Sequence, residues 1–235
     1  MVVKTYGQSS ASDQEDNPDQ ISRPDEEVFP WQIAEAIMRV ARLTEGTDPD
    51  GTENALDQLD EAMSWHLSCW LSPSLLARYP NRHWANFFPY DAQYLKPAFY
   101  PWPKFEEQYG LDFLSLAVQN GLFYYVQTKL KKDLARLARQ GLPLLSSACA
   151  PVPQWFLLNP TTIDFRTVKM LLDLGANPNE KFKGYTPWEM ALLVTLDSRI
   201  LSLAELEEHA KILRLLLQHG ADTGAKVKWF QYANS

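Results

Sequence analysis

Beside its carboxylates, hydroxyls and lysines, the residues of this chain best suited to ligate a metal or attack a substrate are four histidines and two cysteines. His66 and Cys69 lie three apart, which puts them on one helix face and makes half of a metal site. No second Cys or His pair completes it, H-E-x-x-H is absent, and His83, His209 and His219 stand alone. A packed or surface pair is the plainer account. Cys149 with a distant histidine has the chemistry of a nucleophile and its base. No motif surrounds it, however, and cysteine is commonly just a small buried side chain. The expectation is a chain without catalytic, cofactor-binding or metal residues, an enzyme of unrecognised type being the alternative.

One charged pattern stands out. Lys129, Lys132, Arg136 and Arg139 recur at helical spacing, with Lys131 beside them, over an apolar side of Leu130, Leu134 and Leu137. A stripe of this kind solubilises a helix, docks an acidic partner or meets phosphates; nucleic acid is the weakest of the three. Glu205, Glu207 and Glu208 are most simply a solvated face.

The 235 residues suffice for one large core or two small ones. The formal charge is −7, but residues 1–27 hold seven acids against Lys4 and Arg23 and almost no large apolar side chains. That leader is expected to be disordered and acidic; the remainder is near neutral, with no global pull toward nucleic acid or anionic lipid. Two distant cysteines, no signal peptide and no long apolar run argue for a soluble chain in a reducing compartment, cytoplasmic with the nucleus left open.

Further along, Trp31, Ala34, Ile37, Met38 and Ala41 make a helical stripe opened by Pro30 and closed by Thr44-Glu45-Gly46. A turn over 47–51 leads to a second helix from Glu53 to Leu71, with Thr52 as its cap and Leu56, Leu59, Met63, Leu67 and Trp70 on its apolar face. Nine aromatics and four prolines crowd residues 87–109. With only Lys96 and Lys104 among them, that stretch is better suited to packing on its neighbours than to stacking bases.

The second half repeats itself. LLDLGANPNE at Leu171–Glu180 returns as LLLQHGADTG at Leu215–Gly224. Upstream, Gly110-LDFLSL-Ala117, Gly141-LPLLSS-Ala148 and Gly184-YTPWEM-Ala191 share one spacing. These phrases resemble the two halves of an ankyrin repeat, G-x-T-P-L-H-x-A and L-L-x-x-G-A-D-x-N. Thr186 and Glu189 have the spacing of a capping box, which offers a reason for Glu where the family has His. Gly175 and Gly220 are expected in the left-handed region as helix ends.

The resemblance implies an all-α, ankyrin-like helical repeat stack over 110–225, with about three degenerate repeats. Two repeats carry insertions between their helices. One, over 151–162, reads as a loop; the other, over 201–208, lengthens a helix. Residues 28–109 would cap the stack as a helical and aromatic-rich region, and 226–235 would form a C-terminal tail. His-Trp-Ala-Asn at 83–86, the run from Phe113 to Leu130 and G-Y-T-P-W-E at 184–189 also resemble the C-terminal regions of fungal NACHT-type, NLR-like proteins. G-x-x-x-x-G-K-[ST] is absent, so nucleotide hydrolysis does not carry over.

What these resemblances imply is a non-catalytic module for protein–protein interaction. Its partner is an unidentified protein, with no cofactor and no membrane, and its oligomeric state is left open. The contacts would come from projecting turns and inner helices: Asn177, Asn179, Glu180, Lys181, Phe182, Lys183, Tyr185 and Trp188. Lys181-Phe182-Lys183-Gly184-Tyr185 puts charge and aromatics where a merely polar turn would suffice.

Overall fold

The computed structural model describes residues 30–70, 83–87, 110–138, 141–149, 164–196 and 203–224. The acidic leader, the aromatic stretch beyond Phe87, Arg139, the insertion over 151–162 and the C-terminal tail lie outside them. Among the described residues the architecture is helical, and the one β-bridge joins Phe182 to Tyr185. No helix there is long and apolar enough to cross a membrane.

The first helix, α1, is Pro30–Thr44, and its stripe buries Ala34, Met38 and Ala41. The second, α2, is Pro49–Trp70 and buries Leu56, Leu59, Met63 and Leu67 against α1. Its start corrects the expected cap. Asp48, not Thr52, accepts from the Gly51 N–H at 3.0 Å, and Pro49 takes the first helical position, where its missing N–H costs nothing. Thr52 is buried inside the first turn instead, with its hydroxyl 3.5 Å from that of Thr44.

Six further helices follow as three pairs: α3 (Phe113–Gln119) with α4 (Phe123–Lys132), α5 (Leu144–Cys149) with α6 (Phe165–Asp173), and α7 (Pro187–Leu196) with α8 (Leu203–Gln218). Each first helix packs on its own second helix. The first helices also pack in series, α3 on α5 and α5 on α7, and so do the second helices, α4 on α6 and α6 on α8. The result is two layers of three helices, and α2 lies against α4. Residues 203–208 extend α8 as expected.

Local signals set these boundaries. Thr186 and Glu189 form the expected capping box: the Thr186 N–H donates to Glu189 Oε2 at 2.8 Å and the Glu189 N–H to Thr186 Oγ1 at 3.2 Å. Asp112 and Ser115 do the same work for α3, where no Thr-Pro exists. At the other end of a pair, the Gly175 N–H reaches Leu172 O at 3.0 Å and the Ala176 N–H reaches Leu171 O at 2.9 Å. The same two bonds recur at Gly220 and Ala221, and both glycines have positive φ, 92° and 84°. This is the Schellman ending, which requires a left-handed residue. A Cβ at Gly175 would meet nothing within 4 Å, so the cost of adding one is conformational alone. Gly175→Ala is therefore expected to lower stability by about 1–2 kcal/mol, read from the urea midpoint, with little change in helix content.

The core runs unbroken from the α1/α2 pair through the three that follow. Phe113 stacks edge-on to Tyr125 and tilts against Trp84, which belongs to a short 3-10 turn at Trp84–Phe87. Asp60 holds that turn to α2, with one carboxylate oxygen 2.6 Å from Trp84 Nε1 and 2.7 Å from His83 Nε2.

Candidate functional site

Between α6 and α7 the chain projects as a finger. Asn177 Oδ1 accepts from the Asn179 N–H at 2.9 Å, closing a local turn. Phe182 and Tyr185 then exchange both backbone hydrogen bonds, at 2.9 and 3.0 Å, around Lys183 and Gly184. Both central residues have positive φ, 51° and 90°, which defines a type I′ turn. Gly184 fits that conformation without strain; Lys183 is the one non-glycine with positive φ among the described residues. Lys181 and Lys183 are exposed, and Lys183 Nζ lies 5.7 Å from the centre of the Phe182 ring.

The eight residues expected to contact a partner divide here. Glu180, Lys181 and Lys183 are exposed, with Phe182 and Tyr185 half-buried behind them on the same turn. Asn177 is exposed but shapes its own turn. Asn179 uses both polar ends internally: its Nδ2 donates to Gly220 O at 2.8 Å, and its Oδ1 accepts from the Asp222 N–H at 2.7 Å. It clasps this turn to the one after α8. Trp188 is in the core, on the first turn of α7, so it supports the finger rather than presenting a surface. Burial raises the Tyr185 hydroxyl above the ordinary tyrosine range, with help from the Glu189 carboxylate, so Tyr185 stays neutral.

The basic stripe is not one helix. α4 ends at Lys132, Asp133 is extended, and Leu134–Ala138 form a separate 3-10 turn with Leu134 exposed. Asp133 causes the break, its carboxylate accepting from the Ala135 N–H at 3.1 Å and so restarting the chain. Three of the stripe's cations are also paired within the chain. Lys129 bridges Glu53 at 2.8 Å and Asp57 at 2.6 Å, Lys132 meets Glu53 at 2.7 Å, and Arg136 lies 3.5 Å from Asp133. The α4 end of the strip, Lys129 and Lys132, docks the chain's own α2.

One buried contact was not foreseen. Glu45, just past α1, is buried and accepts from the Tyr124 N–H at 3.2 Å, capping α4, whose own Leu122 offers no side-chain cap. Burial pushes its carboxyl above the usual range, while the amides of Tyr125, Tyr124 and Phe123 and the charge of Arg166 pull it back. A glutamate 79 positions before the amide that it caps leaves no local signal in the sequence.

The candidates for chemistry fare poorly as sites. Cys149 is fully buried, and burial pushes its thiol far above the ordinary cysteine range, away from the reactive thiolate. His209 is buried with Nδ1 3.3 Å from the Thr195 hydroxyl, across the α7/α8 contact. Cys69 is exposed and His66 half-buried, and no group of three metal-ligating side chains occurs among the described residues.

Compared with family models, with curated proteins and with solved structures, the chain matches none.

Proposed function

We propose that this chain is a non-catalytic protein-binding module built as an ankyrin-like stack, and that the Glu180–Tyr185 finger is its contact surface. Three helix pairs in two layers support the ankyrin-like reading, as do Schellman endings at equivalent glycines and a clasp between successive turns. The observation that carries the binding assignment is Lys183 at φ 51°. A lysine there costs about 1–2 kcal/mol, which glycine would avoid and asparagine would reduce. Strain kept on an exposed tip, next to a second exposed lysine, fits a surface selected for contact. The matching partner presents carboxylates to Lys181 and Lys183.

The test separates strain from binding. Lys183→Asn keeps the turn, since asparagine tolerates this conformation, and is expected to raise stability by roughly 0.5–1 kcal/mol while weakening partner capture. A pull-down with Lys181→Ala, Lys183→Asn and Tyr185→Ala combined should lose the partners that the parent chain retains. Full retention by a folded triple variant would remove the finger from consideration. A role as the receptor-like tail of a fungal NLR-like system belongs to the same proposal and rests on the motif residues alone. An upstream nucleotide-binding segment in the same reading frame would support it.

A further inference from the structure

The pair α1/α2 packs on the stack through α2, and between them the two helices leave an apolar groove open. Ile33, Ile37 and Val40 of α1 face Gly51 and Ala55 of α2 across a groove of about 740 Å³. Ile33 and Val40 are 53% and 59% exposed, large values for β-branched apolar side chains lining one groove. The α2 wall is low at Ala55, while at Gly51 the Asp48 carboxylate covers the backbone.

Charge marks one end of this groove. The one charged side chain lining it is that of Asp48, and Asp50 stands exposed two residues further on, in the first turn of α2. No cation offsets them from the same helix, since α2 carries five acids and no Lys or Arg. Its other acids are largely matched by the stack: Glu53 and Asp57 by Lys129, and Asp60 by His83 and Trp84. On α1, Arg39 is held by Glu35, and the Arg42 guanidinium lies against Gly121 of the stack. Asp48 and Asp50 form no ion pair among the described residues.

We propose that this groove binds a cationic amphipathic helix of another protein. Its apolar residues, spaced i, i+3/i+4 and i+7, would seat between α1 and α2, with Lys or Arg toward Asp48 and Asp50. Charge selects this occupant. A second copy would bring an equally acidic α2 and the same two aspartates, and like charges oppose such a contact. Residues 1–27 carry seven acids against two cations and meet the same repulsion. The groove lies on different elements from the finger and has the opposite charge, so either assignment can fail without the other.

Two labelled synthetic peptides of about 18 residues, long enough to hold a helix, test this against the full chain by fluorescence anisotropy. One repeats Leu and Lys in helical register; the other has Glu in place of Lys. The Leu/Lys peptide is expected to bind saturably and more weakly as salt rises, and the Leu/Glu peptide at least about tenfold more weakly. Val40→Lys, with Ile33→Ser as a second groove variant, is expected to cost about tenfold, with melting midpoints little changed because both side chains are exposed. Asp48→Asn combined with Asp50→Asn should cost roughly two- to fivefold and flatten the salt dependence, while the fold holds because asparagine caps a helix as well as aspartate. Absence of Leu/Lys binding would overturn the proposal. So would equal binding of the two peptides, or Leu/Lys binding indifferent to the groove variants. A concentration-dependent dimer dissolved by Val40→Lys would overturn it in favour of a second copy.

Discussion

Leu171→Ala is expected to lower the stability of the chain by about 2–5 kcal/mol, the largest effect of any single change considered for it. Leu171 is fully buried on α6, the middle helix of the second layer, which packs on α5 within its own pair and on α4 and α8 to either side. Truncation there removes apolar contact and leaves a cavity in a helix held from several directions, where collapse is hardest. The carbonyl of Leu171 also accepts from the Ala176 N–H, so loosening this turn weakens the helix ending as well. Neighbouring Leu172 is 4% exposed and should respond in the same direction. Urea denaturation followed by circular dichroism measures both. Because stacked pairs are stabilised by their neighbours, the loss should spread along the stack. An unchanged midpoint for Leu171→Ala would mean that the buried face of α6 is wrongly identified.

What the sequence made legible was local. Gly175 and Gly220 announced helix endings because a Schellman turn needs a residue free of Cβ strain, and both have the expected positive φ. Thr186 and Glu189 announced a capping box because three-residue spacing alone brings each side chain to the other's N–H. The matching pair at Asp112 and Ser115 carries the same signal in different residues and was there to be found. The pair Asp48-Pro49 was equally readable as a helix start, ahead of Thr52. Contacts made across the chain were hidden. The spacing of Lys129 and Lys132 showed that cations share a face. It could not show that Glu53 and Asp57 on α2 occupy that face. The composition of Asn179 suited an exposed tip equally well, until the turn after α8 was placed beside it. Binding surfaces chosen by residue type alone inherit this blind spot, since a side chain spent inside the fold looks the same in sequence as one offered to a partner.

Lys129→Met is expected to cost about 1–3 kcal/mol at neutral pH and to change how stability depends on pH. Lys129 joins α4 to α2 by bridging Glu53 and Asp57, and its ammonium also lies 5.1 Å from the centre of the Tyr125 ring, whose hydroxyl donates to the same Asp57 at 2.9 Å. The lysine and Glu53 side chains are only 15% and 14% exposed, so water replaces a lost partner poorly; Asp57, at 47%, is rescued more easily, which keeps the cost below that of a fully buried pair. The bonds from Lys129 and then Lys132 hold the Glu53 carboxyl below its ordinary value of 4.5. Its contribution is therefore complete above that value and is lost as pH falls through the lower folded one. For Lys129, burial alone would lower the ammonium, but the bonds to Asp57 and Glu53 outweigh it and hold the group above 10.5, so its share is lost only as pH rises past that range. Stability should thus fall on the acid side from about pH 4.5 downward in the parent chain. In Lys129→Met that acid limb should be shallower, because Lys132 alone remains on Glu53. High salt should narrow the difference between the two proteins mainly through the Asp57 arm, which is 47% exposed, and less through Glu53 at 14%. Urea midpoints between pH 3 and 8, at low and high salt, measure all three effects. Parallel acid limbs in the two proteins would mean that the Glu53 carboxyl does not depend on Lys129, and that Lys132 alone accounts for its pairing.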